Sequence, residues 1–156
     1  RAPGVVGAAA DHESVEAELI CDGIHVHPAT VRQTFKMFGD DRIILISDSM
    51  EATGMPDGEY ALGGQKVMKK GSLATLEDGT LAGSVTNLMD CLRTAVLKMQ
   101  IPLESAVKCA AVNSARSVGI YDSYGSITPG KTANMVLLKE EDLSTVQVIL
   151  KGKTIL

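Results

Sequence analysis

The sequence predicts a mixed α/β fold, and three observations carry that prediction. Residues 17–21 (AELIC) and 43–47 (IILIS) are short runs bounded by polar residues, as strands of a buried parallel sheet read. Between them, residues 29–38 (ATVRQTFKMF) place Val31, Phe35 and Phe38 at helical spacing, so strand, helix and strand form a βαβ unit. Beyond Thr53 the texture changes to Gly-punctuated β segments, then to two helices, then to β again.

The elements follow in order. Residues 5–10 (VVGAAA) read as a short helix or loop. Asp22-Gly23 ends the first strand, and Ile24-His25-Val26-His27-Pro28 continues the loop. Pro28 suits the first turn of the helix and Gly39 its end. The loop after the second strand begins Asp48-Ser49-Met50. Glycines and the Pro56-Asp57-Gly58 turn then separate expected strands at 59–62, 66–69 and 73–76, a β excursion over about 53–83. Ser84 is expected to cap a helix carrying Val85, Leu88, Leu92, Ala95 and Met99 on one face. Pro102 opens a second helix on Leu103, Ala106, Val107, Ala110 and Ala111, ending near Gly119. Strands are expected at 133–138, 145–150 and 154–156, with one face of 145–150 strongly apolar.

Bulk composition narrows the function. The chain has 156 residues, 45% apolar and 22% charged, enough for a domain with a real core. A net charge of -4 without a basic block argues against nucleic-acid binding. Cys21, Cys91 and Cys109 are odd in number and widely spaced, which reads as reduced thiols in a reducing compartment, hence a cytoplasmic location. No run reaches the roughly 18 apolar residues that span a bilayer, so no membrane partner is expected. The opening Arg1-Ala2-Pro3-Gly4 reads as the interior of a longer domain.

Three groups of residues can carry chemistry. Asp48 follows a buried strand, where reacting groups collect in α/β folds, and a carboxylate there can bind a metal or move a proton. A loop turn is the competing reading. Asp22, His25 and His27 follow the other strand; the two histidines would point the same way in an extended segment. Metal binding, substrate contact and solvated loop histidines all stand as readings of that pair. Arg1, beside Gly4, can offer paired hydrogen bonds to a phosphate, although a lone Arg is most often a surface charge. No GxGxxG, GxSxG or CxxC pattern occurs.

Five strings together resemble the N-acetylglucosamine-6-phosphate deacetylases of the amidohydrolase superfamily. They are RAPGVVGAA (1–9), DGIHVHPATVR (22–32), ILISDSMEATGMPDGEYALGG (44–64), DGTLAGSVTNLMDCLRTAV (78–96) and AVNSARSVGIYDSYGSITPGKTANMVLL (111–138). The resemblance implies the C-terminal part of a (β/α)8 TIM-type barrel, strands seven and eight, within residues 1–125. Residues 126–156 would supply strands of a small β-sandwich domain. It implies hydrolysis of the N-acetyl group of N-acetylglucosamine 6-phosphate to glucosamine 6-phosphate and acetate. Asp48 would be the catalytic base and acid, and a possible metal ligand. His25, Arg1 and Leu81 would contact the phosphorylated amino sugar, Arg1 at its phosphate.

The resemblance also implies a divalent metal, zinc, whose main ligands lie outside this chain, and a homo-oligomer, a dimer at full length. It turns the His25/His27 pair away from metal binding. Carrying only part of the site, the isolated chain is expected to be inactive, with unpaired strand edges that invite association. A related amidohydrolase acting on another amide, or a non-catalytic binding module, is the alternative.

Overall fold

A computed structural model describes residues 1–156. Helix α1 (Gly4–Asp11) leads into strand β1 (Ala17–Ile20), then helix α2 (Pro28–Phe38) and strand β2 (Ile43–Ile46). β1 and β2 pair in parallel, Ala17 opposite Ile43 and Ile20 opposite Ile46, so the expected βαβ unit is present. Pro28 occupies the first turn of α2, and Gly39, at φ 68°, ends it in a conformation that a side chain disfavours.

The two strands alternate. Leu19, Cys21, Ile43 and Leu45 face α2 and the later helices and join one core with Val31 and Met99. Each large side chain buried there contributes about 1.5–3 kcal/mol. The opposite face is covered only in part: Ile44 is buried, but Glu18 is exposed and Ile20 and Ile46 are half-buried. Cover on both faces, expected from the apolar runs, is therefore complete on the helix side alone.

The excursion forms a three-stranded antiparallel sheet of β3 (Gly58–Leu62), β4 (Gln65–Lys70) and β5 (Leu73–Thr75), close to the expected strands. Met50, Ala52, Val67 and Ala74 form its small core.

Helix α3 (Leu88–Leu97) starts later than expected. Asn87, not Ser84, caps it, its side chain accepting the Asp90 N–H at 3.0 Å. The Ser84 hydroxyl instead accepts from the Thr86 N–H, and Val85 packs against the excursion. Ser84 is drawn away because its backbone pairs with the residues after β2.

The next helical run comprises α4 (Leu103–Val107), a wide π-turn segment (Lys108–Asn113) and α5 (Ser114–Ser117). Its buried face differs from the expected stripe. Leu103 and Val107 are exposed, while Ala106, Cys109 and Asn113 are buried. The cause is docking on the chain that enters β2. Ser105 donates to the Asp40 carboxylate at 2.8 Å, Lys108 pairs with Asp40 and Asp41, and Asn113 donates to the Asp40 and Ile43 carbonyls. A π-turn lets the buried stripe drift to meet those partners.

The tail is an antiparallel sheet of β6 (Met135–Leu138), β7 (Thr145–Leu150) and β8 (Lys153–Thr154). Val146 and Leu150, on the strongly apolar face of β7, are exposed, as is Val136 of β6. The sheet is fastened to the rest at its other end. Leu143 enters the main core, and Arg93 of α3 donates to the Leu143 carbonyl at 2.7 Å and to the Thr145 hydroxyl at 3.0 Å.

Candidate active site

Because β1 and β2 are parallel, the residues following them leave the same end of the sheet. Asp22 and His25 come from the first of these loops and Asp48 from the second. Asp48 has φ 52°, a left-handed conformation that Asp adopts more readily than most residues. The segment Ala82–Ser84 runs beside it. Ser84 N–H donates to the Asp48 carbonyl at 2.9 Å, and Met50 N–H donates to the Ser84 carbonyl at 2.8 Å. The far side of the same segment is held by the excursion, with Ala82 N–H donating to Ala74 O at 2.9 Å.

Asp22 is almost wholly buried, its side chain 1% exposed. One carboxylate oxygen accepts the backbone N–H of Ile24 at 2.9 Å and of His25 at 3.0 Å. The other lies 2.7 Å from His25 Nδ1. Burial pushes the Asp22 carboxyl upward, but those backbone and imidazole hydrogen bonds outweigh it and hold the group below its ordinary value. The second ring nitrogen, Nε2, lies 3.0 Å from the Ala82 carbonyl. For His25, burial disfavours the charge, yet the Ala82 carbonyl, Asp22 and the nearby Asp48 charge together raise its pKa. His25 and Asp48 are thus joined through three residues: His25 to Ala82, and Ser84 to Asp48.

The remaining sequence candidates fall in different places. Leu81, 41% exposed, lines a cavity of about 350 Å³ together with Asp48, Met50, Leu76 and Gly83. Asp48 also borders a second cavity of about 420 Å³ with Glu18, Ile46 and Ser114 on the less covered face of β1 and β2. Arg1 is exposed and borders neither cavity. Gly4 opens α1 at φ 69°. His27 is spent on local structure: its Nδ1 accepts the Ala29 N–H at 3.2 Å and caps α2. With that ring capping a helix and both nitrogens of His25 engaged, the His25/His27 pair is not arranged as a metal site.

No three His, Cys, Asp or Glu side chains converge to hold a metal ion. Asp48 offers a single carboxylate, so the residues present do not by themselves fit a metal.

Sequence reasoning missed the Ala82 carbonyl and the Ser84 N–H, since a backbone group leaves no trace in residue type. The signal that was available is Gly83. A Cβ there would stand 3.1 Å from Met50 Cβ and 3.4 Å from the Asp48 carbonyl, closer than a side chain comfortably fits.

A parallel βαβ unit with carboxylate-bearing loops at one end has close counterparts among known proteins. The N-acetylglucosamine-6-phosphate deacetylase of Bacillus subtilis (strain 168) is 39% identical over 152 residues, covering 97% of this chain and 38% of that protein. The N-acetylgalactosamine-6-phosphate deacetylase of Escherichia coli O157:H7 is 37% identical over 153 residues, covering 98% of this chain and 40% of that protein. The chain therefore spans about two fifths of the length of these curated relatives.

The crystal structure of N-acetylglucosamine-6-phosphate deacetylase from Thermotoga maritima superposes with a TM-score of 0.88 at 34% identity, over 98% of this chain and 42% of that one. A mutant of the Mycobacterium smegmatis deacetylase, in complex with N-acetyl-D-glucosamine-6-phosphate, gives 0.86 at 34% identity, over 94% of this chain and 39% of that one. The model of the amidohydrolase family matches residues 8–155, nearly the whole sequence, and with it the chain belongs to that family.

Proposed function

We propose that this chain supplies the Asp48 side of an active site that hydrolyses the N-acetyl group of N-acetylglucosamine 6-phosphate, giving glucosamine 6-phosphate and acetate. The observation that carries the reading is the convergence of the two loops. Asp48 and the His25 loop share the carboxyl end of a parallel sheet and are bridged by Ala82–Ser84. The names of the relatives supply the substrate class.

In this reading β1 and β2 are the seventh and eighth strands of a (β/α)8 barrel. Residues 1–125 belong to that barrel and 126–156 to a small β-sandwich. The two-fifths coverage of the relatives supports a site completed by residues beyond this chain. Asp48 takes a proton from the attacking water as its oxygen adds to the acyl carbon. It returns that proton to the amine nitrogen as the C–N bond breaks. His25 and Leu81 border the sugar, and Arg1, which borders neither cavity of this chain, meets the phosphate on the strength of the resemblance alone. A divalent metal, zinc by resemblance, would be held mainly by residues outside this chain. Three unpaired thiols support a reducing, cytoplasmic setting.

The 37% identity to the Escherichia coli O157:H7 relative, named for the galactosamine epimer, favours a second substrate of the same class. The test is acetate release by the full-length protein from both N-acetylated sugar 6-phosphates and from their unphosphorylated counterparts. Hydrolysis of a phosphorylated sugar alone is expected, and the faster epimer identifies the substrate. Equal rates without phosphate, or no acetate from any of them, would overturn the reading.

A further inference from the structure

We propose that Asp22 is a positioning residue: it holds His25 with a hydrogen on both ring nitrogens, so that the imidazolium clasps the Ala82 carbonyl and sets the Ala82–Ser84 segment against Asp48.

The chemistry of the two partners fixes where the hydrogens on the ring lie. Asp22 Oδ2, 2.7 Å from Nδ1, belongs to a carboxylate whose other oxygen already accepts two backbone N–H groups. An ionised carboxylate only accepts, so Nδ1 carries hydrogen. Nε2 faces the Ala82 carbonyl at 3.0 Å, and a carbonyl also only accepts, so Nε2 carries hydrogen as well. Both conditions are met together only by the imidazolium. With the carboxylate 1% exposed and fixed by backbone donors, the cation is held by a partner that cannot swing away into water.

The clasp reaches 57 residues along the chain. Its far end is the segment that touches Asp48: Ser84 N–H on the Asp48 carbonyl, Met50 N–H on the Ser84 carbonyl, and the Gly83 backbone close against Met50. Asp48 sits at φ 52°, a conformation its neighbours must hold. The line Asp22, His25, Ala82, Ser84, Asp48 therefore ties the two loops at a fixed spacing, and Asp22 acts through His25 rather than on a substrate.

This inference rests on the reading of Asp48 above only for its importance to activity; its geometry stands without it. The test uses the full-length protein labelled with 15N, observed at one neutral pH by long-range imidazole spectra, with His25 assigned by His25→Gln. Two protonated ring nitrogens at His25 are expected in the unaltered protein, and one unprotonated nitrogen there overturns the proposal without any variant. In Asp22→Asn, His25 is expected to become neutral. Amide exchange at Met50 and Ser84 should rise about tenfold, the difference between a charge-assisted and a neutral hydrogen bond. Unchanged exchange at both amides overturns the positioning role. Because neither readout depends on hydrolysis, a protein that releases no acetate yet shows the doubly protonated ring would separate failure of the proposed function from failure of this inference.

Discussion

Asn113 donates its side-chain amide to the carbonyl of Ile43 at 2.7 Å, fixing the π-turn segment to the first residue of the strand that leads to Asp48. The same nitrogen reaches the Asp40 carbonyl at 2.7 Å, and the side chain is buried. Asn113→Ala leaves the buried Ile43 carbonyl without this donor and the part-buried Asp40 carbonyl with only the weak Cys109 thiol, and is expected to cost about 1–3 kcal/mol. Asn113→Asp is expected to cost more, because a carboxylate would face the same two carbonyls. Urea unfolding of the two variants checks the order.

The Asp22–His25 pair predicts a stability plateau in pH. His25 is raised above its ordinary 6.5, so its contribution is complete below that value and is lost as pH rises through the higher folded-state value. Asp22 is lowered from 3.8, so its contribution is complete above that value and is lost as pH falls through the lower folded-state value. The pair therefore stabilises fully between 3.8 and 6.5. Thermal melts across pH should show the alkaline decline flattened in His25→Gln and the acid decline flattened in Asp22→Asn.

Asp48→Asn keeps the shape and tolerates the left-handed backbone of this position, yet cannot shuttle a proton. A fall in kcat of about 10²–10⁴-fold with KM little changed is expected, measured as acetate release by the full-length protein. A variant retaining most of the rate would remove Asp48 from its assigned role.

Gly125 sits at φ 87°, and a Cβ there would lie 2.6 Å from Ala115 Cβ and 2.9 Å from the Ala111 carbonyl. Gly125→Ala combines an unfavourable backbone with overpacking and is expected to cost about 1–3 kcal/mol in denaturant melts.

All three thiols are buried, and burial raises Cys21 to about 12, Cys91 to about 11 and Cys109 to about 12. Alkylation at pH 8 should therefore be silent in the native protein and complete in denaturant, which mass spectrometry reads directly.

The regular part of the fold was legible because its signals are local. The period of Val31 and Phe38, the apolar runs around Leu19 and Leu45, and the glycines of the excursion each report on their own segment. What the sequence concealed depends on distant partners. Ser84 has the chemistry of a cap but is claimed by the chain after β2, leaving Asn87 to cap α3. Val107 has the spacing of a core residue but yields to Cys109 and Asn113, which answer the Asp40–Ile43 backbone. At the candidate site the residue types Asp22, His25 and Asp48 stood out, whereas the Ala82 carbonyl that links them could be found only in three dimensions.

β1 and β2 have only each other as neighbours, so in each strand alternate amides point inward to the partner and the others point outward. In heavy water that arrangement writes a every-other-residue pattern of slow and fast deuteration along Ala17–Ile20 and Ile43–Ile46. The strand that docks on either flank would announce itself by silencing the fast positions on that flank alone.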